Sequence, residues 1–172
     1  TCEICLDGLE VGQDEVLGET GRGLGIALGH LSAGRIAVAA QAVGVARAAF
    51  EAAVAFARAR ETFGKPIIEH QSIAFQLAEM LTDIEVARQM YLHAAQLECA
   101  MEPSIREASM AKLFASEMAE RVCSKAIQVH GGYGFTNDYP VEKYYRDARV
   151  LQIYEGTSEV QKIVISRLIS AE

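Results

Sequence analysis

The feature that most constrains this chain is a run of small apolar residues at helical spacing. Between Ile36 and Phe56 the strongly polar residues are Gln41, Arg47 and Glu51. Ile36, Ala39, Val43, Ala46, Phe50, Val54 and Ala57 fall three or four residues apart, the period of an α-helix and not the two-residue period of a strand. A helix apolar on most of its faces has to be buried on more than one side. Ala39, Ala40, Ala42, Gly44, Ala46, Ala48 and Ala49 permit close approach of a neighbour, from another subunit or from a further domain.

This first pattern covers about residues 25–60, and two more follow. Ile73, Leu77, Met80, Ile84, Ala87, Tyr91 and Ala94 predict a helix over about 70–99. Ala108, Ala111, Ala115, Met118, Val122, Ala126 and Val129 predict one over about 104–130. Ser104 and Glu107 are spaced as a capping box, and Gly131 suits a C-cap. Asn137 to Pro140 punctuates the start of a short helix over about 141–148. Ser158, with Gln161 three residues on, is expected to cap a last helix whose apolar face holds Ile163, Val164, Leu168 and Ile169. Long helices joined by short turns make an antiparallel bundle. The expected fold is therefore all-α, an up-down helical bundle with extra terminal helices. A short strand remnant is expected before it, because Ile4, Leu6, Leu9 and Val11 alternate with polar neighbours around Asp7-Gly8. Residues 1–20 are expected to be the remnant of a preceding β domain and linker, and 21–172 the bundle domain. A first residue Thr1 in place of Met fits a piece of a longer chain.

Composition narrows the function classes. With 51% hydrophobic and 23% charged residues in 172, the chain is neither disordered nor low-complexity. A net charge of -7 speaks against a nucleic-acid partner. Apolar stretches of membrane-spanning length are interrupted by charged or strongly polar residues, and no secretory signal pattern is visible, so no membrane partner is expected. Cys2 and Cys5 form a C-x-x-C with no second pair at zinc-site spacing, and Cys99 and Cys123 lie in helical patterns; reduced cysteines are expected. His30, His70, His93 and His130 make no metal motif. Gly18, Gly21, Gly23 and Gly25 nearly spell a dinucleotide fingerprint, but Ile26 and the lack of a βαβ pattern make them a hinge into a helix. Lys143, Arg146 and Arg149 are most simply a solvated face, with Arg146 to Ala148 available to order a following loop.

The punctuation between helices carries the chemistry. The segments R-x-T-F-G-K (from Arg60), E-H-Q (Glu69 to Gln71), Q-x-x-G-G-x-G-F (from Gln128), Y-P-V-E-K (from Tyr139), R-D-A (Arg146 to Ala148) and I-Y-E-G-T-S-E (from Ile153) occur in one order. Together they resemble the C-terminal helical domain of the acyl-CoA dehydrogenase family. The likeness covers essentially the whole chain. Arg106 to Lys112, R-E-A-S-M-A-K, looks most like the short-chain and short/branched-chain branch.

The resemblance implies an FAD-dependent enzyme that oxidises short or branched acyl-CoA thioesters to 2-enoyl-CoA. A carboxylate takes the α-proton and the β-hydrogen leaves as hydride. The α-carbon is weakly acidic, so hydrogen bonds to the thioester carbonyl have to stabilise the enolate-like charge as it forms. The base has to be close, aligned and partly desolvated. The resemblance places the base at Glu155, with its own N–H donating to the thioester carbonyl, and substrate contacts at Tyr154 and Gly156. On local pattern alone Glu155 reads most simply as a solvated turn residue. In some branches the base sits on the first long helix, at the position of Gly34, which carries no carboxylate. Ser32 and Arg35 match the substrate region, although short-chain relatives often have Asp or Asn at the position of Ser32. Arg60 matches an arginine that reaches the flavin pyrophosphate. Thr62, Phe63, Gln71, Gln128, Gly131, Gly132, Thr157, Ser158 and Glu159 match further FAD contacts, Glu159 toward ribose or adenine. No metal is implied.

By the same resemblance the full enzyme has an N-terminal helical domain, a middle β domain and this bundle. FAD bridges two subunits, the assembly is a dimer of dimers, and electrons pass to an electron-transferring flavoprotein. The fragment alone is expected to be inactive. The setting is the cytoplasm of a bacterium or the mitochondrial matrix of a eukaryote. The alternative is a helical oligomerisation module of the same fold without catalytic activity.

Overall fold

The computed structural model describes residues 2–171, which divide into two units, 2–31 and 32–171. In the first, residues 2–12 are without regular structure, a 3-10 turn spans Gln13–Glu15 and α1 spans Gly23–Gly29. The expected strand does not form among the described residues. Ile4, Leu6, Leu9 and Val11 are largely exposed, because an extended segment without a neighbouring strand has no ladder to complete. The first helical pattern is interrupted as well. A turn at His30 ends α1, and the His30 Nδ1–H donates to the Ile26 carbonyl at 2.9 Å. Three glycines in seven residues make α1 the weakest helical stretch.

The remainder is a helical bundle, as the periodicities predict. Its elements are α2 (Leu31–Ala59), a two-stranded ribbon of β1 (Glu61–Thr62) and β2 (Lys65–Pro66), α3 (Gln71–Cys99), α4 (Ile105–His130), α5 (Val141–Val150) and α6 (Ser158–Ile169). The ribbon pairs Glu61 with Pro66 and Thr62 with Lys65. Both turn residues between its strands, Phe63 and Gly64, have positive φ, the twist a two-residue hairpin favours.

Helix α4 is the centre, packing against α3, α5 and α6. All seven residues of its predicted stripe are buried. Ala39, Ala42, Ala46, Ala49, Ala53 and Ala57 of α2 are fully buried in the same core as Met80, Ala111 and Met118. Helix α3 runs antiparallel to α4, since Asp83 pairs with Arg121 and Glu79 with Lys125. Helix α2 runs parallel to α4: Arg35 meets Ser109 near one end and Phe56 stacks on His130 near the other. The stretch Gly23–Ala59 has the length and mean hydropathy, 1.3, to cross a bilayer by composition. Burial of the α2 alanines in the bundle core is a sufficient cause of that composition.

Three local expectations are corrected. The Ser104 hydroxyl does not cap α4; it donates to the Glu98 carboxylate on α3. Helix α6 is capped by Thr157, whose hydroxyl accepts from the Val160 N–H, and not by Ser158. The buried residues of α6 are Ser158 and Gln161, whereas Ile163 and Ile169 are 48% and 64% exposed. Gly131 does end α4, at φ 60.

Candidate active site

The segment joining α5 to α6 turns twice through the left-handed region, at Glu155 (φ 56) and Gly156 (φ 90). A glutamate in that conformation costs about 1–2 kcal/mol, so the surroundings have to hold it there. They do so with donors. The Gln161 Nε2 donates to the carbonyls of Glu155 at 3.1 Å and Gly156 at 3.0 Å. The Lys112 ammonium on α4 donates to the Gly156 carbonyl at 2.6 Å. A Cβ at Gly156 would lie 2.7 Å from the Gln161 amide nitrogen, so glycine is required for contact as well as for φ. The Tyr154 hydroxyl donates to Gln41 on α2, and Gln152 donates to Glu120 on α4.

The Glu155 carboxylate then lies over Gly34. A Cβ added there would be 2.7 Å from Oε2 and 3.2 Å from the carboxyl carbon. Gly34 therefore contributes the space that the carboxylate fills. Two cations flank it. Arg35 is 5% exposed and its Nη1 donates to the Ser109 hydroxyl at 3.1 Å. Burial lowers the Arg35 pKa, and attraction to Glu155 opposes that shift. Lys112 is fully buried. Burial pushes its pKa down, repulsion from Arg35 adds to this, and Glu155 and Glu159 pull it back. The Tyr154 hydroxyl is shifted upward by burial and by Glu155. The result is a half-buried carboxylate on a rigid turn, beside two buried cations. Such a group accepts a proton from a carbon acid placed against it, and the nearby cations stabilise the anion left behind.

Among the described residues three buried polar side-chain atoms have no partner: Arg35 Nε, Ser158 Oγ and Gln161 Oε1. All three belong to residues that hold or adjoin this turn, so the site keeps polar capacity that the chain does not use. Ser32 is half-buried at the start of α2. Glu159 is exposed, its carboxyl held below the usual carboxylate range by its own backbone N–H and then by the Thr157 hydroxyl.

The other predicted cofactor residues lie at the far end of α2. Arg60 is exposed just beyond that helix, and the Phe63 ring at the hairpin tip is 97% exposed. Thr62 is held from within the chain: His70 Nε2 lies 2.9 Å from its hydroxyl and 3.2 Å from its carbonyl. Gln71 opens α3 and is exposed, as is Gln128 near the end of α4. Gly131 and Gly132 have open space where side chains would begin. The stack of Phe56 on His130, ring centroids 4.4 Å apart, joins the α2 end to the α4 end. Arg60, Thr62, Phe63, Gln71, Gln128, Gly131 and Gly132 therefore share one end of the bundle. Thr157, Ser158 and Glu159 share the other with Glu155. Along α2 the separation from Gly34 to Arg60 is about 39 Å.

The α5 cations lie on a solvated face, as expected, and Arg146 to Ala148 do not order the Glu155 turn. Arg146 pairs with Glu142 and Lys143 with Asp147 on their own helix, and it is Arg149 that reaches Gln152 at 3.1 Å. Lys112, Ser109 and Gln161 are the residues to which the sequence reading gave no role at this site. One signal for the first was present: Lys112 sits four residues after Ala108 and three before Ala115, a cation inside an apolar stripe. The described residues hold no group of three metal-ligating side chains, and the four cysteines are free.

The chain is thus a helical bundle with a carboxylate on a left-handed turn at one end and an exposed arginine–glycine surface at the other. Residues 21–170 match the C-terminal domain of acyl-CoA dehydrogenases, and the chain belongs to that family. It is 48% identical over 169 residues to an acyl-CoA dehydrogenase of Bacillus subtilis, covering 98% of this chain and 45% of that protein. It is 44% identical to the short/branched chain specific acyl-CoA dehydrogenase of Bos taurus mitochondria, covering 100% of this chain and 40% of the relative. The solved structure of butyryl-CoA dehydrogenase from Megasphaera elsdenii superposes with a TM-score of 0.92 at 45% identity, over 93% of this chain and 42% of that one. The chain thus spans less than half the length of these relatives.

Proposed function

We propose that this chain is the C-terminal part of an FAD-dependent acyl-CoA dehydrogenase that converts short or branched acyl-CoA to the 2-enoyl-CoA. The observation that carries the proposal is the Glu155 carboxylate, fixed on a left-handed turn in the space left by Gly34 and flanked by Arg35 and Lys112. Glu155 accepts the α-proton, breaking that C–H bond as the α,β double bond forms. The Glu155 N–H and the neighbouring cations favour negative charge on the thioester oxygen. FAD, when bound, takes up the β-hydrogen with its electron pair. Ser32, Arg35, Tyr154 and Gly156 line the approach of the acyl thioester.

The residues of this chain fit the flavin dinucleotide. The exposed Arg60 guanidinium suits the pyrophosphate, the free Phe63 ring suits an aromatic face, and open space over Gly131 and Gly132 admits a ligand close to backbone. At the other end the unpartnered Ser158 hydroxyl and the α6 N-terminus offer polar contacts. An α2 of 29 residues keeps these sets further apart than one dinucleotide can stretch. Two copies of the chain therefore supply each flavin site, one giving its Arg60 end and the other its Glu155 end. A shared site needs at least a dimer; the family resemblance adds a dimer of dimers, an electron-transferring flavoprotein as electron acceptor, and a bacterial cytoplasm or a mitochondrial matrix as the setting. A scaffold without activity leaves the buried cations around Glu155 without a purpose.

In the full-length protein, Glu155→Gln is expected to keep FAD bound while turnover of butyryl-CoA falls by roughly three orders of magnitude or more. Turnover within tenfold of the parent would assign the proton to another base. The isolated 172-residue chain is expected to show no turnover with added FAD, and measurable butyryl-CoA oxidation by it would show that the other domains implied by the resemblance are not needed.

A further inference from the structure

We infer that Lys112 is a positioning residue for this reaction: its ammonium and the Gln161 amide together clamp the Glu155 and Gly156 carbonyls, holding the Glu155 carboxylate aimed over Gly34. The inference rests on Glu155 being the base.

Lys112 and Gln161 are both fully buried, so neither side chain is placed by solvent. They approach the same carbonyl from different elements. Lys112 comes from α4, 44 residues earlier in the chain, and Gln161 from the first turn of α6. The Gly156 carbonyl therefore accepts two bonds, at 2.6 and 3.0 Å, one of them from a cation. The second Gln161 bond, at 3.1 Å, falls on the carbonyl of Glu155 itself. Donating to both carbonyls through Nε2 fixes the amide orientation and leaves Oε1 without a partner. The two carbonyls so held belong to the two residues with positive φ, Glu155 and Gly156. A buried lysine is costly unless its charge is used. The charged groups facing it are Arg35 from α2, Glu155 from the turn and Glu159 from α6, so its charge lies within the field of the reacting carboxylate.

The test uses the full-length, flavin-loaded protein, with Lys112→Met as a neutral side chain of similar length. Flavin bleaching by butyryl-CoA in a single turnover is expected to slow at least tenfold, with substrate Kd changed less than about threefold. Deuterium at C2 of the substrate is expected to slow bleaching by a larger factor in Lys112→Met than in the parent, because misaiming the carboxylate makes proton abstraction more limiting. In the ligand-free protein, amide hydrogen exchange across residues 151–160 is expected to rise at least tenfold while α3 peptides stay unchanged. In a Glu155→Gln background the Lys112→Met substitution should lower the residual rate no further.

Unchanged bleaching and isotope effect in Lys112→Met, with Glu155→Gln inactive, would overturn the inference alone. An active Glu155→Gln would instead remove the base assignment beneath it. Should Lys112→Met fail to fold, Gln161→Leu carries the same measurements and the same expectations. Failure of both to assemble with flavin would make the pair folding determinants and overturn the assignment too.

Discussion

The two ends of α2 treat their polar residues in opposite ways. At the Gly34 end Arg35, Lys112, Ser109 and Gln161 are buried and bonded to the chain itself, and Lys112 and Gln161 converge on one turn. At the Arg60 end the guanidinium, the Phe63 ring, Gln71 and Gln128 face outward. Both ends carry a non-glycine residue at positive φ, Glu155 at one and Phe63 at the other. Only the first is braced by buried donors; the second sits in a hairpin whose twist favours that conformation. On the function proposed above, the difference separates a place where chemistry needs fixed geometry from a place that completes itself on a ligand.

The sharpest way to break this contrast is Gly34→Ala. The new methyl group falls 2.7 Å from the Glu155 Oε2, so the carboxylate has to move. A displacement on this scale is expected to lower turnover about 100-fold. The helix itself should gain about 0.5–1 kcal/mol, because alanine is the better helix former. An enzyme that is more heat-stable and far less active is the expected pair of readings, from thermal melting and steady-state assay. Full activity would show that the carboxylate's aim over Gly34 is not needed.

Next in size is Arg60→Ala. Losing charge-assisted bonds to phosphate is worth about 1.5–3 kcal/mol, so flavin affinity should weaken roughly 10- to 100-fold. Thermal stability of the flavin-free protein should stay within about 0.5 kcal/mol, since Arg60 is exposed. Flavin absorbance after dialysis reads the first quantity. Retention equal to the parent would detach the arginine end from the cofactor.

The smallest effect sharpens the Arg60 end, where His130 is the buried exception. The His130 Nδ1–H donates to the Ala126 carbonyl at 2.8 Å, and the ring stacks on Phe56. Burial lowers its pKa from the ordinary 6.5, and the bond to Ala126 opposes this only in part. A neutral imidazole is thus preferred in the fold, while the unfolded chain takes up the proton more readily. The stabilising contribution is complete above pH 6.5 and is lost as pH falls from there through the lowered folded value. Melting temperature should decline from pH 7.5 to 5.5, and His130→Gln should flatten that decline. An unchanged slope would remove His130 as its source.

Helix placement was legible because the apolar periods of α3 and α4 are long and regular, and those stripes are what the core buries. Near-misses came where a short-range rule competed with a distant partner. Ser104 has the residue three on that a capping box wants, yet Glu98 on the neighbouring helix takes its hydroxyl. Ser158 looks like a cap, but Thr157 one residue earlier already holds the position. The apolar side of α6 was legible as a pattern, but Ile163 and Ile169 on it stay exposed in the chain. At the site, Glu155 and its flanking glycine were marked by the motif. Lys112 was not, because its meaning lies in a carbonyl on another element, and lysine ordinarily signals solvent.

The length of α2 has a genetic corollary. Each flavin would draw its arginine from one protomer and its base from another, so two crippled alleles need not be equally crippled together. A mixed assembly of Arg60→Ala protomers with Glu155→Gln protomers contains some pockets in which every needed side chain is wild type, and co-expression would restore part of the turnover that each variant lacks alone.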